Sequence, residues 1–403
     1  MLRYFAAGLC SIFAIFVLFH WARWLCVKVE RSTKPGRVSR ILGRPFVASS
    51  RLVRSLLLRV VPGFQSAGHA LVVAAYVAIN AAVAFNNVDT SSLSNVSSRL
   101  GWLALSNMAL VVFLALKNTP LAFLTAYSYE RLNCLHQIAG YTMFVLVVLH
   151  ASMYTAFFNS QGRLKTQFAE TKEIAAIITG FGILGAVFSA TVLKRLRYEA
   201  FYATHVCCWI TIVVAIGFHQ PDLGKKTLVI TLIAASMWVG DRLIRLCRIL
   251  WFGVNNEATL HPLPNGGTKI VLKKAPARAK PGKHCFIWIP AVSQFQTHPF
   301  TIHGSSPVEF TVMAREGFTK QLHGFAVANP GLAVRASVDG PYGTFPDPME
   351  FDKIVLIAGG GGATFARQET SPGSNHNSTS SARTPHMPSK CTSLSREPPH
   401  HLL

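Results

Sequence analysis

Residues 136–150 read HQIAGYTMFVLVVLH, and residues 205–219 read HVCCWITIVVAIGFH. Each stretch begins and ends with histidine and is strongly apolar in between. On an α-helix, fourteen residues turn through about 1400°, about 40° short of four full turns, and rise about 21 Å. Each histidine pair is therefore expected on one helix face, with one histidine near each side of a hydrocarbon core about 30 Å thick.

Ionisable side chains at membrane depth are costly and usually carry function. Two parallel helices with matched pairs can clamp two flat cofactors, one above the other, and imidazole is a good axial ligand of haem iron. Spacing alone is weak evidence, because His284 and His298 are also fourteen residues apart in a segment that Pro290 interrupts. Two unbroken apolar helices favour two b-type haems, with four predicted iron ligands: His136, His150, His205 and His219.

The composition indicates a membrane protein. Half of the 403 residues are hydrophobic and only 14% are charged. The net charge of +22 is compatible with a nucleic-acid partner, but the basic runs lie beside apolar segments, as the positive-inside rule requires. The lipid bilayer is therefore the predicted partner, without nucleic acid. The eight cysteines form no CxxC pattern, so neither a cysteine metal site nor structural disulfides are expected.

Seven apolar segments are predicted to span the membrane, and the loops between them predict the orientation. With the N-terminus outside, the inner loops 28–66, 117–134 and 194–200 carry 14 Lys and Arg, and the outer loops carry six. This asymmetry predicts an outer N-terminus and a cytosolic C-terminal portion. The predicted spans are Tyr4–Val27, Ala67–Phe85, Gly101–Leu116, Leu135–Phe157, Ile174–Leu193, Phe201–Phe218 and Thr227–Leu250.

The topology also predicts which histidines meet. One span separates the two histidine helices, so they run in the same direction. His136 then shares the inner level with His205, and His150 shares the outer level with His219. His20 and His69 have no partner at comparable depth and are interpreted as structural. The predicted organisation is a first helix with a basic cytosolic loop over residues 1–66, followed by a haem domain over residues 67–250.

After Leu250 the pattern changes to short β-forming runs separated by Gly and Pro turns. The runs Lys269–Leu272, Cys285–Ile289 and Glu309–Val312 predict a small antiparallel barrel over residues 255–348. Lys353–Ala358 then reads as a buried parallel strand that leads into the glycine run 359–362. A strand followed by a glycine-rich turn is typical of a nucleotide pyrophosphate site at a helix N-terminus.

In their order along the chain, these features resemble the fungal ferric reductase family, kin of the NADPH oxidases, over about residues 65–365. The resemblance implies a cytosolic FAD-binding barrel of ferredoxin-reductase type, followed by a truncated α/β nucleotide-binding domain that starts at 349–365. Gly317-Phe318-Thr319 resembles the pyrophosphate-contacting turn of the family, in which a second glycine is common at the position that Glu316 occupies here. The cofactor-binding residues that the resemblance implies are His298, Pro299, Phe300, Thr301, Gly317, Phe318, Thr319 and Gly340 for FAD, and Gly359, Gly360 and Gly362 for NADPH.

The resemblance also implies an activity. Electrons would pass from NADPH through FAD and the two haems to chelated Fe(III) or Cu(II) outside, most simply at the plasma membrane, in support of metal uptake. Thirteen residues lie between the histidines in both helices. This spacing is similar to that of ferric reductases, whereas NADPH oxidases usually have twelve in the second helix. The alternatives are a superoxide-generating NADPH oxidase and a non-catalytic, truncated membrane haem protein.

The last 38 residues, 366–403, are rich in Ser, Thr, Pro and His, which together make up 21 of them. Such a segment buries too little apolar surface to fold, so a disordered tail is predicted. A complete nucleotide-binding domain would need on the order of 100 further residues. The expectation is therefore that this chain binds NADPH poorly and is at best weakly active with it.

Overall fold

The computed structural model describes residues 2–32, 49, 52–220 and 225–344. These residues belong to two compact units, one mainly helical and one mainly of strands, with a division after Arg248. Three predictions lie outside the described residues: the strand Lys353–Ala358, the glycine run that follows it and the tail after residue 365.

Seven helices of the described part are long and apolar enough to cross a membrane, which confirms the predicted number. The fifth helix continues through a π-helical segment, Ser189–Leu193, and a final short turn, Lys194–Leu196. The chain is therefore a multi-pass membrane protein. The helices are α1 (Leu2–Ser32), α2 (Ala67–Phe85), α3 (Leu93–Ala115), α4 (Tyr129–Ser160), α5 (Thr171–Phe188), α6 (Tyr198–Phe218) and α7 (Lys226–Gly253).

Several helices begin earlier than the apolar pattern predicts. The third was expected from Gly101 but begins at Leu93, and the fourth was expected from Leu135 but begins at Tyr129. Both follow a serine in extended conformation, Ser92 and Ser128, which is a favourable residue at a helix start. Apolar composition marks only the part of a helix that contacts hydrocarbon, so it misses turns that project beyond it.

Helix α3 lies at the centre of the helical unit. Its residues take part in three separate apolar clusters, and Leu103 is completely buried. A polar chain joins α3 to α2: Tyr76 Oη donates to Asn107 Oδ1 at 2.5 Å, and Asn107 Nδ2 donates to Asn80 Oδ1 at 2.7 Å. Polar groups at membrane depth must be satisfied inside the protein, so this chain fixes the rotation of α3 about its axis.

The second unit contains a seven-stranded sheet and one helix, α8 (Phe318–Ala328). The strand order is β6-β1-β2-β5-β4-β3-β7, and the pairs β1–β2, β1–β6, β2–β5, β3–β4 and β4–β5 are antiparallel. Inward-facing residues such as Leu260, Ile270 and Phe310 are fully buried. The strands are β1 (Glu257–Leu263), β2 (Gly267–Leu272), β3 (His284–Trp288), β4 (His298–Ser305), β5 (Val308–Met313), β6 (Ala333–Arg335) and β7 (Ser337–Tyr342).

The three predicted strands correspond to β2, β3 and β5, and the antiparallel architecture is confirmed. Strands β1, β4, β6 and β7 and helix α8 were not predicted. Strand β7 contains Gly340 and Pro341, which as a pair usually indicate a turn. Burial against the neighbouring strand outweighs that local preference, since Val338 and Asp339 are completely buried.

Candidate functional site

The four predicted histidines form two close pairs in the helical unit. The ring centres of His136 and His205 lie 6.4 Å apart with the ring planes at 67°, and those of His150 and His219 lie 6.4 Å apart at 68°. The predicted pairing of 136 with 205 and 150 with 219 is therefore confirmed. Helices α4 and α6 each contribute one histidine to each pair, as the parallel arrangement requires.

Each histidine is fixed through its Nδ1 atom by a main-chain carbonyl of a neighbouring helix. His136 Nδ1 lies 2.9 Å from Val111 O, and His150 Nδ1 lies 2.8 Å from Ser97 O. The same contact joins His205 to Ala186 O at 3.1 Å and His219 to Lys172 O at 3.0 Å. A carbonyl only accepts, so Nδ1 carries the proton and Nε2 keeps its lone pair. This is the tautomer that ligates a metal through Nε2.

The four carbonyls repeat the spacing of the histidines. Ser97 and Val111 on α3 are fourteen residues apart, and so are Lys172 and Ala186 at α5. Helix α3 therefore orients both histidines of α4, and α5 orients both histidines of α6. The sequence does not reveal this second fourteen-residue spacing. The carbonyl belongs to the main chain, which every residue has, so no particular side chain marks these four positions.

The separation of the rings fits one metal ion between them. Imidazole nitrogen binds a transition metal at about 2.0–2.1 Å and lies about 1.1 Å from its ring centre, so two rings on one iron would have centres about 6.3 Å apart. The observed 6.4 Å in both pairs agrees with this value. Both pairs therefore fit bis-histidine ligation of a haem, with all four Nε2 atoms available.

Two buried serines lie beside the oriented histidines. Ser97 Oγ donates to the main-chain oxygen of His150 at 2.7 Å and lies 3.3 Å from its Nδ1. Ser189 Oγ donates to Ala186 O at 2.7 Å and lies 3.2 Å from His205 Nδ1. Ser189 begins the π-helical segment, a geometry that is frequent at functional sites. Each histidine pair thus has one member with a hydroxyl neighbour.

Gly101 allows α3 to approach His150. A Cβ atom at this position would lie 2.6 Å from Cε1 and 2.7 Å from Nδ1 of the histidine ring. Real Cβ contacts are essentially never that short, so only glycine fits here without movement. Sequence reasoning missed this residue, because a single glycine in an apolar helix gives no functional signal.

The two histidines interpreted as structural have local contacts. His69 Nδ1 accepts from Gln65 N at 3.3 Å, and its Nε2 lies 3.5 Å from Cys134 Sγ. His20 contacts Trp21 edge-on at 5.8 Å between ring centres. Among the described residues, neither ring packs against another histidine ring. No cluster of three or more His, Cys, Asp or Glu side chains suited to a metal occurs in that part of the chain.

In the strand-rich unit, the two predicted flavin motifs come together. His298 at the start of β4 stacks on Phe318 at the start of α8, with ring centres 4.3 Å apart and planes at 19°. Phe300 faces the same ring at 6.2 Å, while Pro299 and Thr301 point to the other side of the strand and are exposed. Two motifs about twenty residues apart in sequence are thereby brought into contact, with Phe318 buried in the core of the unit.

The turn before α8 has a backbone geometry that requires glycine. Gly317 is the residue before the helix, with φ of 59° and ψ of −129°. Thr319 Oγ1 accepts from Arg315 N at 3.0 Å and donates to Glu316 O at 3.2 Å, so its hydroxyl stabilises the turn itself. Gly317 provides no side-chain cap for the first N–H groups of α8, and such groups at a helix N-terminus can bind phosphate.

Gly340 has a packing reason for being glycine. Its φ is +149°, and an added Cβ would lie 2.9 Å from Cys285 Sγ and 3.2 Å from His284 O, across the contact of β7 with β3. The predicted contact of Gly340 with FAD stays a prediction. Gly359, Gly360 and Gly362, predicted to bind NADPH, lie outside the described residues.

These features define a class: a membrane-embedded helical bundle with two histidine pairs, followed by a sheet unit in which His298 stacks on Phe318. Residues 100–216 match the family described as ferric reductase like transmembrane component. Residues 252–345 match the FAD-binding domain family. The chain is thus a relative of the fungal ferric reductases, with their transmembrane component followed by an FAD-binding domain, and the resemblance expected from the sequence is confirmed.

Curated relatives agree with this assignment. The chain is 28% identical to ferric/cupric reductase transmembrane component 2 of Saccharomyces cerevisiae and 29% identical to ferric reductase transmembrane component 3 of that yeast. Each alignment covers 66% of this chain but 38% of the relative. The ferric/cupric reductase transmembrane component 2 of Schizosaccharomyces pombe is 25% identical, over 68% of this chain and 57% of the relative. The chain thus spans well under two thirds of the length of these relatives.

Proposed function

We propose that this chain carries electrons across a membrane, from cytosolic NADPH through FAD and two b-type haems to chelated Fe(III) or Cu(II) on the other side. The observation that carries the proposal is the pair of histidine sites, one toward each side of the bundle, each with the ring separation of bis-histidine ligation. The names of the relatives support ferric or cupric ions as the acceptor.

The protein contributes preorganised ligands. The two histidine pairs would hold the haems, and haem iron, when bound, would supply a one-electron carrier. Four main-chain carbonyls hold the imidazoles in one tautomer and orientation. Rigid ligands of this kind favour electron transfer, because little around the iron has to move when its charge changes. The thirteen residues between the histidines in the second helix, and not the ligands themselves, favour a metal reductase over a superoxide-generating oxidase.

The strand-rich unit is proposed to hold FAD, which would link the two-electron chemistry of a nicotinamide to one-electron chemistry at iron. Thr301 is exposed on the side of β4 away from the His298–Phe318 stack and is the proposed hydroxyl contact to the flavin. The free N–H groups at the start of α8 are the proposed pyrophosphate contacts. We assign residues 67–250 to haem, residues 255–348 to FAD and residues 349–365 to the beginning of an NADPH-binding domain.

Orientation and location are part of the same proposal. The excess of Lys and Arg in the loops 28–66, 117–134 and 194–200 supports an outer N-terminus and a cytosolic FAD-binding domain. His136 and His205 would then form the inner haem site, and His150 and His219 the outer one. A plasma membrane location would give the outer site access to extracellular metal chelates.

The test is haem spectroscopy of membranes that contain the full chain and its histidine variants. His136→Ala and His205→Ala should remove the same haem and leave one low-spin haem per chain. His150→Ala and His219→Ala should remove the other. His69→Ala is the matched control, since His69 contacts Gln65 and Cys134 and belongs to neither histidine pair, and it should keep both haems. The proposal is wrong if no haem binds, or if His136→Ala and His205→Ala remove different haems.

A second arm tests the donor and the acceptor. Both haems should be reduced by dithionite, and with FAD present NADPH should reduce them more slowly. Reduced membranes should then transfer electrons to a membrane-impermeant ferric chelate. Reduction by dithionite alone would refute NADPH as the donor of this chain, and superoxide as the main product would identify an oxidase.

A further inference from the structure

The loop between β2 and β3 carries a concentration of positive charge. Residues 273–283 read KKAPARAKPGK, with five basic and no acidic residues. Arg278 and Lys280 are exposed. The pKa of Lys283 is lowered, first by burial and then by the nearby charges of Lys280 and Arg278. Among the ion pairs of the described residues, none joins an acidic side chain to these three cations. The positive charges of this loop therefore repel one another, and a bound anionic ligand would reduce that repulsion.

The start of this loop is attached to the end of helix α7. Lys274 Nζ donates to Val254 O at 2.7 Å, and Lys274 N donates to Asn256 Oδ1 at 2.8 Å. Asn256 Nδ2 in turn donates to Phe252 O at 2.9 Å. Lys274 is thus bonded to the first residues after α7. The part of the loop that carries Arg278, Lys280 and Lys283 therefore begins next to the end of this helix.

The end of α7 itself has the character of a membrane interface. An exposed apolar stripe continues along the helix to its last turn and just beyond, and Trp251 is 76% exposed within it. Tryptophan is enriched where a helix leaves the hydrocarbon and meets lipid headgroups. The part of the stripe that belongs to the same unit as the loop consists of Leu250, Trp251 and Val254.

We propose that the β2–β3 loop, residues 273–283, binds anionic phospholipid headgroups through Arg278, Lys280 and Lys283, beside the exposed end of α7. A bilayer is the occupant that explains both halves of the surface, because it offers hydrocarbon to Trp251 and phosphate or carboxylate groups to the cations. Free nucleotide phosphate would explain the cations but not the apolar stripe. Each basic residue near an anionic leaflet contributes about a fivefold gain in association.

Arg278 has a backbone conformation that is uncommon for a long side chain, with φ of 65°. Asparagine tolerates this conformation well, so Arg278→Asn removes the charge with little risk to the fold. Lys280→Gln removes the second exposed charge. Arg335→Gln is the matched control, because it removes one positive charge from β6 at another edge of the same sheet.

The experiment compares the full chain in nanodiscs of phosphatidylcholine with nanodiscs that also contain phosphatidylserine, by hydrogen exchange of amides 277–283. Phosphatidylserine should slow exchange in this loop, and high salt should abolish the effect. Arg278→Asn and Lys280→Gln should each reduce the protection about fivefold, and Arg335→Gln should leave it unchanged. Equal exchange in the two lipids would overturn the proposal. Protection by FAD in phosphatidylcholine alone would assign the loop to nucleotide phosphate and overturn it equally.

Discussion

Replacing Gly101 by alanine is expected to remove the outer haem and to leave the inner one in place. The glycine lies on α3 directly against the ring of His150, which is half of the outer pair. The inner pair is held by other carbonyls, those of Val111 and Ala186. The variant therefore contains its own reference, because the inner haem reports whether the bundle has folded.

The size of the effect follows from two distances. The added Cβ would lie 2.6 Å from Cε1 of His150, whereas ordinary van der Waals contact begins at 3.4 Å. The ring must therefore move by about 0.8 Å, which would stretch the 2.8 Å contact from Nδ1 to Ser97 O to about 3.6 Å, outside hydrogen-bonding range. Overpacking of this kind costs about 1–3 kcal/mol. Loss of an orienting hydrogen bond lowers metal affinity about 10- to 100-fold.

The assay is the ratio of haem to protein in purified chain, combined with a redox titration of the haem spectrum. Wild type should show two haems per chain, and Gly101→Ala should show one. Gly180→Ala is the matched control, because an added Cβ at this position in α5 meets nothing within 4 Å. It makes the same chemical change in another membrane helix and should keep both haems.

Retention of both haems with unchanged potentials in Gly101→Ala would refute the reasoning. It would mean that the ring of His150 can move without losing the iron, or that His150 is not a ligand. Loss of both haems in the variant, with both retained in Gly180→Ala, would show that the two sites are coupled and that the assignment of separate supports on α3 and α5 is wrong.

Further outcomes are expected at four other positions. Ser189→Ala should weaken the inner haem about 10- to 100-fold through its effect on the support of His205, with the outer haem unchanged in a haem titration. Phe318→Leu removes the buried ring on which His298 stacks, so flavin binding, followed by FAD fluorescence, should weaken, and the smaller side chain should lower the free energy of unfolding by about 1–2 kcal/mol. Gly340→Ala should destabilise the sheet by about 1–3 kcal/mol in thermal unfolding, because its Cβ meets Cys285. Burial raises the pKa of Cys285 to about 12, so this thiol stays protonated at pH 8 and should react with iodoacetamide only after unfolding; rapid labelling of the folded chain would contradict that burial.

The helical part was predictable because both of its features, apolar segments and paired histidines, depend directly on which residue types occur at which positions. Seven apolar segments predicted seven spans, and the matched fourteen-residue spacings predicted which histidines face one another. The strand-rich part was less predictable. Strands β1 and β7 contain Pro262 and the Gly340–Pro341 pair, which locally oppose a strand, and tertiary pairing decides their conformation.

The sequence by itself determined the periodic features of this protein: which segments are apolar enough for the membrane, which histidines share a helix face and which motifs follow them. Only the tertiary structure decided how the sites are supported. The carbonyls of Ser97, Val111, Lys172 and Ala186 orient the imidazoles, but every residue has a carbonyl, so the sequence does not distinguish them. Gly101 likewise matters through what lies opposite it, and contacts between helices distant in sequence exist only once the chain is folded.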